Sequence, residues 1–205
     1  MKTRRLVPCA LALALLAAPD ARAQAPATAP AAPASGFRSE ALGQQAYGEK
    51  QILDLAEATP AEKYGWRPGA GVRSISEVYM HIAGGNYLLM GFAGTKAPAG
   101  LDREMEKNVT EKAKVIDELK KSFAHLRAGI SATSDADLDK PVKMFGRDTT
   151  VRGVMLAAVS HEFEHLGQSI AYARMNSIVP PWTAEQQKRI KEEMEKKPAE
   201  APAKK

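Results

Sequence analysis

Three histidines carry most of the chemistry this chain can offer. His161 and His165 are four residues apart, so on an α-helix they stand about 40° apart on one face. That face also carries Val154, Ala157, Ala158, Gln168 and Tyr172, so both imidazoles point with the apolar stripe. His81 shares a helical face with Val78, Gly85, Leu88 and Phe92 and is expected to turn inward as well. A buried imidazole must satisfy two ring nitrogens, and three together are costly to desolvate. One cation can take a nitrogen from each. Three neutral imidazoles with an open fourth position form catalytic zinc sites, and the set also suits nickel, iron, manganese or cobalt. His125, the fourth histidine, lies opposite the Leu119/Phe123/Leu126 stripe and is expected in solvent.

Carboxylates beside the histidines are candidate proton acceptors. Glu77 precedes His81 by one turn and could orient its ring or ligate directly, although it also completes a helix-capping pattern with Ser74. Glu162 lies inside His161-Glu162-Phe163-Glu164-His165. That stretch satisfies the H-E-x-x-H pattern of zinc peptidases, in which the Glu is the general base. The wider peptidase pattern fails: Gln168 and Ala171 replace the Gly and His of its longer form, and Glu185, the available third ligand, lies beyond Pro180-Pro181. A peptidase is therefore a remote alternative. Gln168 could hold a bound water, and Gly84-Gly85 could open space beside His81.

These residues need helices to position them. The pattern predicts one from about Ser39 to Ala58, ended by Thr59-Pro60. A second runs to about Phe92, capped by Ser74 with Glu77 three residues on. The third spans about Glu106 to Ala132, with Val115, Ile116, Leu119, Phe123, Leu126 and Ile130 at helical spacing. After a long connector, whose PVKMFGRDTTV could form a short β excursion, a fourth helix runs from about Val151 to Asn176. The expected fold is an all-α four-helix bundle with a crossover between helices 3 and 4. A second apolar line on the last helix (Met155, Val159, Leu166, Ile170) is either a dimer surface or the far side of a centrally buried helix.

The ends read differently. Residues 1–23 resemble a secretory signal: Lys2, Arg4 and Arg5, then an apolar run, then Ala21-Arg22-Ala23. The chain is thus expected to be exported, periplasmic or secreted, with no membrane span after processing. Cys9, the one cysteine, would leave with the leader, which excludes disulfides and thiolate chemistry in the mature chain. The 29 basic and 24 acidic residues lose four and one respectively, leaving 25 against 23, a net charge of +2. This is no signature of nucleic-acid binding. Residues 24–35 are an Ala/Pro spacer, the domain is expected over residues 36–187, and residues 188–205 form a charged disordered tail.

Three stretches, KYGWRPGAGVRSISEVYMHIAGGN, KPVKMFGRDTTVRGVMLAAVSHEFEHLGQ and YARMNSIVPPW, resemble the DinB-like (DNA-damage-inducible) four-helix-bundle superfamily. The resemblance covers about Gly36 to Trp182. It implies a metal site at His81, His161 and His165, often zinc or nickel, with water completing the shell. It also implies homodimers, and relatives that include metal-dependent transferases and isomerases using small thiols. The export signal departs from that pattern: such thiols are cytosolic, so thiol transfer is disfavoured. The chain is accordingly expected to be an exported, divalent-metal-binding hydrolase or transferase of a small molecule. A non-catalytic metal-binding or stress protein is the alternative.

Overall fold

A computed structural model of the protein describes residues 36–196. The signal and spacer regions, and the last residues of the charged tail, lie outside them. Six helices and one hairpin make up the described chain: α1 (Gly36–Ala58), α2 (Ile75–Phe92), α3 (Met105–Asn108), α4 (Lys112–Ala132), β1 (Pro141–Met144), β2 (Arg147–Thr150), α5 (Val151–Met175) and α6 (Pro181–Lys196). The fold is all-α apart from the hairpin. No helix among the described residues is long and apolar enough to cross a membrane.

α1 and α2 each pack against both α4 and α5, so the four long helices form a ring in which α1 lies diagonal to α2. Each of the four long helices contributes apolar residues to both of two buried clusters. One contains Ile52, Tyr79, Ile82, Leu119 and Phe123, the other Met90, Leu126, Ile130, Met155 and Ala158. Each of the four long helices also carries a fully buried polar residue: Gln45, Asn86, Ser122 and Glu162.

Local chemistry explains the ends that matter for the site. The Ser74 hydroxyl accepts from the Glu77 N–H while the Glu77 carboxylate accepts from the Ser74 N–H, a complete capping box at the start of α2. The expected connector does contain a hairpin, and Phe145 and Gly146 at its tip both adopt positive φ, as a two-residue turn between right-twisted strands requires. Thr150 then caps α5 by accepting from the Gly153 N–H at 3.1 Å, delivering the chain to the helix that carries two of the histidines.

Three expectations change, and one left open between two alternatives is settled. The third helix is broken: α3 is a single turn, Val109 and Thr110 leave the helix, and α4 begins at Lys112. The charged run from Lys188 remains helical to Lys196 as part of α6, which crosses the expected domain end without burying a residue. The second apolar line of α5 is covered within the chain, with Met155, Val159 and Leu166 buried and Ile170 packed on the core; it is the far side of a central helix. His125 is half-buried rather than solvated, its ring 5.0 Å from that of Tyr87.

Candidate metal centre

His81 is carried by α2, and His161 and His165 by α5, two helices that pack directly. The three rings converge where those helices meet. Their centroids are 5.0 Å (His81–His161), 4.6 Å (His81–His165) and 4.5 Å (His161–His165) apart, and one nitrogen from each lies within 4.8 Å of the others. His165 is buried, while His81 and His161 keep part of their surface. The face is less enclosed than its sequence suggests, since Leu88 is 55% exposed.

Two of the rings have their orientation fixed from behind. His81 Nδ1–H donates to Glu106 Oε1 at 2.8 Å, and His165 Nδ1–H donates to Gln168 Oε1 at 2.8 Å. A carboxylate only accepts, so neutral His81 keeps its lone pair on Nε2. Gln168 in turn donates from Nε2 to the Tyr172 hydroxyl at 3.0 Å, which sets the amide so that its oxygen faces His165. Both rings therefore present Nε2 to the common centre. The Nε2 atoms of His81 and His161 are 3.2 Å apart. Two nitrogens bound to one tetrahedral ion at about 2.0–2.1 Å would lie about 3.3 Å apart, so the spacing fits a shared cation.

Electrostatics favours the ligating, neutral form. Burial lowers the His81 pKa against the opposing pull of Glu106. Burial first, then the neighbouring His165 and His81 rings, lowers that of His161 to about 4. His161 Nδ1 is buried without a partner. Gly85 makes room for this ring: a methyl group there would lie 2.3 Å from His161 Cε1. The glycine pair thus opens space, but Gly85 opens it for a ligand ring rather than for a substrate, and Gly84 faces only Met105 Sδ at 4.0 Å.

Neither candidate carboxylate is hydrogen-bonded to the histidines. Glu77 is tied to the Ser74 N–H at 2.6 Å and to Arg67 at 3.1 Å, and the Ser74 bond first among the causes lowers its pKa. No hydrogen bond joins it to His81. Glu162 turns toward α1, where a methyl group on Gly48 would lie 3.1 Å from its Oε2. It is fully buried, neither oxygen has a partner, and burial followed by repulsion from Glu49 raises its pKa to about 9. A peptidase base must face a solvent-derived water on the metal, and a carboxyl enclosed against α1 does not. The residue that sequence reasoning missed is Glu106. It holds His81 and also Arg73, whose Nε donates at 2.7 Å. Burial opposes its ionisation, but Arg73 and His81 outweigh it and keep Glu106 below the usual carboxylate range. Glu106 lies in the single-turn helix α3, just after a Gly/Pro-rich loop, with no pattern pointing to His81.

No curated protein sequence matches the chain significantly. Among solved structures, a DinB-like protein from Bacillus cereus is similar at 18% identity and a TM-score of 0.63, covering 70% of this chain and 95% of that one. A DinB-like protein from Bacillus subtilis is similar at 20% identity and a TM-score of 0.55, covering 68% and 93%. A variant of mycothiol-dependent maleylpyruvate isomerase is similar at 15% identity and a TM-score of 0.51, covering 65% and 62%. At these identities the likeness is one of fold. Residues 44–169, which span the ring of helices and all three histidines, match the family as a whole, and the chain belongs to the DinB superfamily.

Proposed function

We propose that the protein is an exported metal-dependent enzyme, a hydrolase or transferase of a small molecule, with one zinc or nickel ion held by Nε2 of His81, His161 and His165. The observation that carries this reading is the pair of back-side hydrogen bonds, Glu106 to His81 and Gln168 to His165. They aim two imidazole lone pairs at one point, 3.2 Å from the third ring's Nε2 in the case of His81. A bound ion with an open position would supply Lewis acidity or an acidified water. The protein's own contribution is to favour the neutral form of His81 and His161, to hold the His81 and His165 rings in place from behind, and to place the ionised Glu106 beside the centre. Support for an enzymatic role also comes from the similar fold of a mycothiol-dependent maleylpyruvate isomerase, and support for export from the leader-like residues 1–23.

The test is elemental analysis of untagged mature protein alongside His165→Ala. The reading expects one divalent ion per chain in the parent and at least a tenfold loss in the variant. A parent that takes up no ion on titration with zinc or nickel overturns it. N-terminal sequencing of protein recovered outside the cytoplasm tests export, which fails if residue 1 is retained.

A further inference from the structure

A cleft of about 630 Å³ opens among Arg73, Arg103, Lys107 and Gln168, within the size range of sites for small metabolites. Its lining includes Glu106 and Gln168, the two side chains hydrogen-bonded to His81 and His165. A molecule seated in it therefore lies against the residues that fix the rings.

The charges of this cleft are unevenly matched. Its three carboxylates all have cationic partners: Glu106 pairs with Arg73, Glu104 with Lys107, and Glu77 with Arg67 from just outside. Its three cations are Arg73, Lys107 and Arg103, and only the first two are engaged in this way. Arg103 makes no ion pair or hydrogen bond among the described residues. A guanidinium is charged at any physiological pH and presents a planar fork matched to carboxylate or phosphate oxygens. An arriving anion could meet it without displacing an existing carboxylate. Gln168 adds a second donor. Its amide has two N–H groups, and the Tyr172 hydroxyl takes only one.

We propose that this cleft receives a small substrate bearing a carboxylate or phosphate group, with Arg103 as the residue that selects for the anionic end. The inference rests on the metal reading for what happens at the other end of the molecule, but the anion contact itself does not require the metal. The neutral remainder of the ligand lies over Glu106 and Gln168, with its reactive end toward the histidines.

The experiment is isothermal calorimetry on mature protein of measured metal content, at low ionic strength, with succinate, inorganic phosphate and uncharged butane-1,4-diol as probes. Parent protein is expected to bind at least one of the two anions at one per chain and not the diol. Arg103→Ala is expected to weaken that binding at least tenfold, with metal content and melting temperature unchanged, and Arg103→Lys to recover part of it. Tighter binding of succinate or of phosphate identifies the group recognised, and either supports the proposal. Equal binding by parent and Arg103→Ala, or no binding of either anion by metal-loaded parent, overturns it. Absence of metal in the parent overturns the metal reading instead; Arg103-dependent anion binding by that same protein would still uphold the cleft.

Discussion

Glu106 and His81 are 25 residues apart in sequence, yet the carboxylate accepts from the ring's Nδ1 at 2.8 Å while Arg73 holds its other oxygen at 2.7 Å. Partners behind a ligating imidazole raise its basicity and restrain its rotation, and their loss typically costs 10–100-fold in metal affinity. Glu106→Gln is expected to weaken zinc binding by about that factor, measured by competition with a chromogenic chelator. Glu77→Gln is expected to leave metal affinity unchanged while lowering stability by about 1 kcal/mol through the damaged capping box. Equal metal affinity in parent and Glu106→Gln would show that the contact does not support the ligand.

Gly84 and Gly85 are adjacent in α2 but should respond oppositely to the same change. A methyl at Gly84 meets only Met105 Sδ at 4.0 Å, so Gly84→Ala is expected to gain about 0.5–1 kcal/mol from helix propensity. At Gly85 the methyl would press on the His161 ring at 2.3 Å. Gly85→Ala is expected to cost about 1–3 kcal/mol and to weaken metal binding. Urea titrations of the two variants check the first effect and metal competition the second; a Gly85→Ala protein as stable and as metal-avid as the parent would contradict the geometry.

Glu162 gives stability an unusual dependence on alkali. Its pKa lies near 9 in the fold, mainly through burial, against an ordinary 4.5. Below pH 4.5 both folded and unfolded chains hold the proton and the contribution is fully present. Between 4.5 and 9 the unfolded chain releases its proton while the folded chain keeps it, so stability falls as pH rises through that window. Glu162→Gln is expected to flatten this slope and to stabilise the protein at pH 8 by about 1–3 kcal/mol. Denaturation at pH 5, 7 and 8 reads the slope, and parallel curves for parent and variant would refute it.

His161 acts in the opposite direction in the metal-free protein. Its pKa falls to about 4 in the fold from an ordinary 6.5, through burial and then the neighbouring rings. The unfolded chain therefore takes up the proton first as pH drops from 6.5 to 4, and folded stability declines across that range. Saturating zinc should move the decline to lower pH, because the bound form competes with the proton. Melting temperatures of metal-free and zinc-loaded protein between pH 4 and 7 test this; coincident curves would contradict it.

What could be read along the chain was what is local. Ser74 and Glu77 are three residues apart, and His161 and His165 four, spacings that carry their geometry with them once a helix is granted. Glu106 was illegible because its contact to His81 depends on how a Gly/Pro-rich loop folds back. The helix break at Val109 and Thr110 escaped notice because neither residue is Gly or Pro and the apolar spacing continues past them. The part of α6 from Lys188 on reads as a disordered tail because it buries nothing, although Glu, Lys and Arg are good helix formers and Pro181 suits a first helical position. His125 was placed in solvent because its own helix offers no apolar neighbour on that side; Tyr87 of α2 supplies one.

The three histidines sit on two helices, and His81 and His161 are 80 positions apart. The His161–His165 pair can meet an ion on a lone helix, but the third nitrogen arrives only when α2 and α5 are docked. An ion shared by all three would thus work as a removable rivet across a long chain closure. Its grip would grow with supply, by about 2.7 kcal/mol when free metal reaches a hundredfold excess over Kd. Starvation for the ion would then loosen the α2–α5 seam and silence the chemistry in one event.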